Sequence, residues 1–213
     1  MSSIAARPLR ADAARNRALI VDAARRLFAE RGLDVTLHDV AEAAGVGVGT
    51  VYRRFPDKDA LLAGLVEAKL EGLLALAEKC TVQVSGRDGL RAYLFGTMAL
   101  RAGDKALSNV VMRAAPSTAA AERLRGELSE VVGRIVERAR AEGAVRAGFE
   151  PSDVPAVSSM IGSIADRTRE EHPEAWRRYA ALLLDAVCPP EGVLPPMEGV
   201  APQSFLSSPP TCR

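Results

Sequence analysis

The chain has 213 residues, 48% of them hydrophobic and 26% charged, which is the composition of a soluble globular protein with room for one or two modest cores. Twenty-eight basic against 27 acidic residues leave a net charge of +1, which excludes a histone-like polycation and an acidic tail. No apolar run reaches the length of a membrane span, Met1 to Arg17 lack the apolar centre of a secretory signal, and Cys80, Cys188 and Cys212 lack metal-ligand or disulfide-framework spacing. A reducing cytoplasm and no metal or other cofactor are expected.

Arg7, Arg10, Arg15 and Arg17 crowd the N-terminus, and residues 1–14 read as a flexible basic arm. Residues 15–31 then place Ile20, Ala24, Leu27 and Phe28 on one helical stripe, with Gly32 as the stop. Thr36 followed three residues later by Asp39 is a capping box, so a helix opens there, carries Val40, Ala41 and Ala44, and ends by Gly45. Residues 48–54 form a second short helix, bounded by Pro56, which disfavours the helical conformation at Phe55. Asp57 caps a long helix with the stripe Leu61, Leu62, Leu65, Val66, Leu73 and Leu76.

Gly86 to Gly89 read as a break, after which 90–101 is helical. Leu107, Val110, Val111 and Met112 imply a short helix closed by Pro116. Residues 119–142 carry the clearest apolar face, from Leu124 to Ala139. Ser152 to Pro155 opens another helix, with proline in its first turn, and a last helix covers 173–187. Nothing alternates as a strand would. From Pro189 onward, seven of 25 residues are proline, and the tail is expected to be disordered. The fold class is all-α.

A capped helix, a glycine-containing turn over Ala44 to Gly47 and a second short helix make a helix-turn-helix pattern. In such a pair the second helix enters the major groove and the first braces it. The glycines at 45, 47 and 49 do not form a dinucleotide loop, because Thr50 holds the final position and a helix precedes them.

The stretch from Thr36 to Val46, followed by Gly47 to Leu62, resembles the DNA-binding signature of the tetracycline-repressor (TetR) family of bacterial transcription regulators. The resemblance covers residues 15 to about 66. It implies a three-helix DNA-binding domain over 15–56, and a larger helical domain over 57–188 that binds a small-molecule effector and dimerises. One departure is Gly47, where the family usually carries a small hydroxyl cap. The resemblance assigns Tyr52 and Lys58 to phosphate contacts, and Val48, Gly49, Thr50 and Arg53 to base reading, with Arg54 beside them. Thr36 and His38 would reach phosphate or a base edge, and Arg10, Arg15 and Arg17 the flanking phosphates or minor groove. Double-stranded DNA with a palindromic operator is the expected partner, and repression the expected role.

The body offers no visible nucleophile–base pair, so an enzyme is not expected. The last helix is too apolar to be wet on one side, and 154–165 is rich in small residues. Ser158, Gly162, Trp176, Tyr179, Leu183, Leu184 and Val187 are therefore expected at a two-fold homodimer interface. Tyr93, Phe95, Met98, Arg101, Met112, Leu128, Val132 and Met160 are candidates for an effector pocket. A redox sensor using Cys80 or Cys188 is the competing reading, and it requires a lowered thiol pKa.

Overall fold

A computed structural model describes residues 6–103 and 114–188, with side chains from Arg15 onward. The described residues form eight α-helices and no strand. We label them α1 (Ala6–Arg31), α2 (Leu37–Ala44), α3 (Val48–Arg54), α4 (Lys58–Thr81), α5 (Gly86–Gly103), α6 (Ala119–Ala141), α7 (Asp153–Thr168) and α8 (Trp176–Val187). None is long and apolar enough to cross a membrane. The helix expected over 107–112, with Met112, and the proline-rich tail with Cys212 lie outside the described residues.

The helices begin and end for local reasons. Thr36 and Asp39 make the reciprocal capping box, the Asp39 amide donating to Thr36 Oγ1 at 3.2 Å and the Thr36 amide to Asp39 Oδ2 at 2.8 Å. Gly45 closes α2 at φ +64°, and the Val46 and Gly45 amides donate to the carbonyls of Ala41 and Glu42, a Schellman closure that needs the left-handed glycine. Asp57 Oδ1 accepts the Ala60 amide at 2.7 Å and so starts α4.

Two boundaries differ from the sequence reading. The helix expected from residue 15 begins at Ala6, so 6–14 continue α1 instead of forming an arm. Ala, Leu and Arg are strong helix formers, and Pro8 falls in the first turn, where its missing amide breaks no intrahelical bond. Gly86 and Gly89 do not break the chain but open α5. A side chain at Gly86 would meet backbone atoms of Arg138 and Ala139 at 2.7 Å, and one at Gly89 the Cys80 carbonyl oxygen at 2.7 Å. The glycines let the first turn of α5 pack directly on neighbouring backbone.

The described residues divide into two compact units, 6–72 with 114–125, and 73–103 with 126–188. In the first, Ile20, Ala24, Phe28, Val40, Ala41, Val51, Phe55, Leu61, Leu62 and Leu65 form one buried cluster. The leucines of α4 therefore complete the core beneath α1–α3, and this unit runs past residue 56, the boundary expected from sequence. Gly64 has no side chain because the Phe55 ring occupies that space; a Cβ there would lie 2.6 Å from Phe55 Cε1. The second unit has its own core of Leu90, Leu94, Met98, Val136, Ile161, Ala180 and Leu184.

Candidate nucleic-acid interface

The first unit presents α3 to solvent on a braced frame. Val51 is fully buried and anchors the helix from beneath. Val46 and Val48 pack partly against the same cluster and fix the angle between α2 and α3. Gly49, Tyr52, Arg53 and Arg54 are left on the outside, Tyr52 with half of its surface exposed. Thr50 is half-buried, and its Oγ1 accepts from Arg53 at 3.2 Å, so the guanidinium folds back along its own helix. Gly47 starts α3 without a side-chain cap, as its residue type requires; the Thr50 amide reaches the Gly47 carbonyl at 2.8 Å.

Thr36 and His38 are exposed at the start of α2. The Thr36 hydroxyl donates to Asp39 at 2.7 Å. Hydrogen bonds from the Thr36 side chain and backbone hold the Asp39 carboxyl below its ordinary value, and Arg31, 3.4 Å away, adds to this. The cap is therefore a charged one, an acceptor at the positive pole of α2.

Two of the expected basic contacts have partners within the chain. Arg17 turns inward, its guanidinium 3.4 Å from Glu67 and 3.7 Å from Glu71 of α4, because two carboxylates one helical turn apart face it. Lys58 is half-buried and donates to the Leu33 carbonyl. Arg10 falls in α1, and its side chain lies outside the described residues. Arg15 is exposed. The partners of Arg17 and Lys58 lie 50 and 25 residues away, a separation that no local pattern signals. Glu67, which the sequence reading missed, also accepts from Thr118 at 2.8 Å, and the Thr118 hydroxyl in turn caps α6 by accepting the Ala121 amide.

In the second unit, Tyr93, Met98 and Val132 are buried in the core, with Phe95 and Leu128 packed against it. Burial, with the nearby Cys80 adding to it, pushes the Tyr93 hydroxyl up to about 12. Arg101 does not join these residues. It pairs with Asp166 at 3.1 Å and lies across Gly162, where a Cβ would come within 2.5 Å of it. Met160 points outward, 55% exposed. A cleft of about 190 Å³ opens elsewhere, among Cys80, Thr81, Ser85, Gly86, Gly89, Arg134, Ile135 and Arg138.

Five of the seven expected dimer residues, Ser158, Gly162, Trp176, Leu184 and Val187, are buried within their own unit. Ser158 is buried and hydrogen-bonds Thr97 at 2.8 Å, and Gly162 receives Arg101, so the small residues of α7 serve its packing on α5. Trp176, Leu184 and Val187 are buried in their own core, while Tyr179 and Leu183 are partly buried against it. The outward face instead carries Ala156, Ser159, Met160 and Ser163 of α7 and Leu182 and Ala186 of α8. Periodicity identified two apolar stripes but could not say which of them faces in. Burial pushes both the Cys80 and Cys188 thiols up, against the effect of Arg91 and Arg87 on Cys188, which opposes thiolate redox chemistry.

Comparison with known proteins agrees with this geometry. The tetR-family model of bacterial regulatory proteins matches residues 20–65, and a model of the C-terminal domain of SbtR-like transcriptional regulators matches 86–187. An HTH-type transcriptional regulator of Staphylococcus aureus (strain USA300) is 36% identical over 64 residues, 30% of this chain and 35% of that protein. The matched stretch thus spans only about a third of that relative's length. The crystal structure of a TetR transcription regulatory protein from Mycobacterium vanbaalenii superposes with a TM-score of 0.63 at 27% identity, covering 85% of this chain and 99% of that one. A TetR transcriptional regulator from Streptomyces coelicolor gives 0.61 at 26% identity, over 81% and 98% of the two chains.

Proposed function

The chain belongs to the tetR family of bacterial regulatory proteins, and on that premise we propose that it is a dimeric transcriptional repressor that holds a palindromic operator and is released from it by a small-molecule effector. The observation that carries this reading is the outer face of α3, where Gly49, Tyr52, Arg53 and Arg54 stand exposed on a helix pinned from below by Val51. In the major groove Arg53 is the candidate for a bidentate guanine contact, and Val48 and Thr50 for a thymine methyl. Tyr52 and Arg54 are assigned to phosphate, together with Thr36, His38, Arg10 and Arg15.

Dimerisation would give this reader its spacing. Two recognition helices about 34–36 Å apart match successive major grooves of a palindrome. The face we assign to self-association is the outward one, with Met160 55% and Leu182 39% exposed among small residues. An effector that prefers another spacing lowers DNA affinity by its differential affinity for the two states. The effector site is assigned to the second unit, around Tyr93, Phe95, Met98, Leu128 and Val132.

Sedimentation velocity tests the assembly. The wild type should sediment as a dimer, and Met160→Glu combined with Leu182→Glu as a folded monomer with weakened operator binding, because its two half-sites are no longer gripped together. A double variant that remains dimeric removes this face from the interface.

A further inference from the structure

We propose that Glu67 is a positioning residue for DNA binding: its one carboxylate ties the first turns of α1 to the cap of α6 and so holds Arg15 where it meets a flanking phosphate. The role rests on the DNA-binding reading above. Each oxygen of Glu67 has its own partner. Oε1 accepts from the Thr118 hydroxyl at 2.8 Å, and Oε2 lies 3.4 Å from Arg17 Nη2. The three residues share one compact unit but come from α1, from α4 and from the residue that caps α6.

The core does not hold the start of α1. Among the residues with described side chains, Ile20 is the first of α1 to be buried; Arg15 and Leu19 are exposed, and Arg17 is half-buried. Ahead of Ile20, α1 is held to α4 by the pairing of Arg17 with Glu67 and, at 3.7 Å, with Glu71. Two residues are about 200° of helical rotation, so a guanidinium drawn onto α4 at position 17 turns position 15 outward.

Thr118 fixes the carboxylate from the other side. Its hydroxyl oxygen accepts the Ala121 amide at 3.1 Å, which leaves its one proton for Glu67. Ala121 and Leu124 are 1% and 7% exposed, so the start of α6 is anchored by burial. The Glu67 and Arg17 side chains are only 21% and 22% exposed, and solvent screens such a pair less than one on the open surface. A displacement of the α6 cap therefore reaches α1 through a single side chain.

The test is a double-mutant cycle on Arg17→Met and Thr118→Asp, read by fluorescence-anisotropy titration of a mixed-sequence duplex well below every variant's unfolding midpoint. Aspartate still caps a helix, but its carboxylate repels Glu67 and has no proton to donate to it. Each single variant should bind about 3- to 10-fold more weakly than the wild type. The double variant should bind no more weakly than the weaker single one, because all three lose the same clamp. Thr118→Ser, which keeps the hydroxyl, should bind as the wild type does. Glu67→Gln, close in shape and without the charge, should lose the same factor in the wild type and nothing further in Arg17→Met; it carries the test if Thr118→Asp does not fold. A local cap and nothing more predicts wild-type affinity for Thr118→Asp, and that result overturns the proposal. Losses that multiply in the double variants overturn it as well, since Arg17 then acts independently of Thr118 and Glu67. A wild type that binds no duplex defeats the DNA-binding reading itself and the proposal with it, and that failure is seen before any variant is compared.

Discussion

Arg53→Ala is expected to relax sequence preference at one base pair by about 1–3 kcal/mol while leaving thermal stability unchanged. The residue is exposed in the last turn of a seven-residue helix, and the hydrogen bond that holds it is one to Thr50 of the same helix at 3.2 Å. Removing it opens no cavity and strands no buried group. Thr50 keeps its place because its backbone amide bonds the Gly47 carbonyl. To read a base, the guanidinium must swing off Thr50, and an exposed hydrogen bond to a hydroxyl, in competition with water, resists that only weakly. A guanidinium that accepts this exchange gains two parallel donors on a guanine edge, which alanine cannot replace. Competition titrations against duplexes changed one base pair at a time measure the effect. Loss confined to one position in each half-site fits base reading, whereas an equal loss on every sequence makes Arg53 a phosphate contact.

Gly86→Ala carries the largest expected effect on the fold. The added Cβ would meet Ala139 N and Arg138 C at 2.7 Å and Arg138 O at 2.8 Å. These are backbone atoms inside α6 and have no rotamer to change. The first turn of α5 must lift away, and with it goes the hydrogen bond from the Gly86 amide to Glu142 at 2.7 Å. That bond is the main reason the Glu142 carboxyl sits below its ordinary value, with the Arg87 amide and Arg138 assisting. Overpacking of this kind typically costs about 1–3 kcal/mol and sometimes more. At this chain length each kcal/mol lowers the midpoint by roughly 2–4 °C. Gly133→Ala is the control: nothing lies within 4 Å of its Cβ position in the middle of α6, so alanine there should raise the midpoint through helix propensity. Thermal scans of the two variants should move in opposite directions. If Gly86→Ala is silent, the close approach of α5 and α6 is not what holds this end of the unit.

What the sequence made legible was local. The Thr36–Asp39 box, the left-handed Gly45 and the Asp57 cap each act over three or four residues, and each stands where the pattern placed it. The outer face of α3 was legible for the same reason, since burial of Val51 leaves Tyr52, Arg53 and Arg54 outside. What escaped was whatever depended on a partner far along the chain. Gly86 and Gly89 read as a break because glycine lowers helix propensity, yet close packing on backbone, that of Arg138 and Ala139 for Gly86 and of Cys80 for Gly89, overrides that preference. Arg17 and Lys58 read as DNA contacts because their partners within the chain, the Glu67 and Glu71 carboxylates and the Leu33 carbonyl, lie far from them in sequence. On α7 and α8 the apolar period is real, but it carries no sign: Ser158 and Gly162 face α5, and Met160 faces out.

Selection of random duplex DNA by the purified chain, at a stated salt concentration, tests most directly whether α3 reads DNA as a two-fold pair. The expected result is enrichment of a palindrome whose half-sites lie about one helical turn, roughly 10–10.5 base pairs, or a multiple of it apart, and loss of that enrichment in Arg53→Ala. A folded wild type that enriches no sequence, or only an asymmetric one, would contradict the reading.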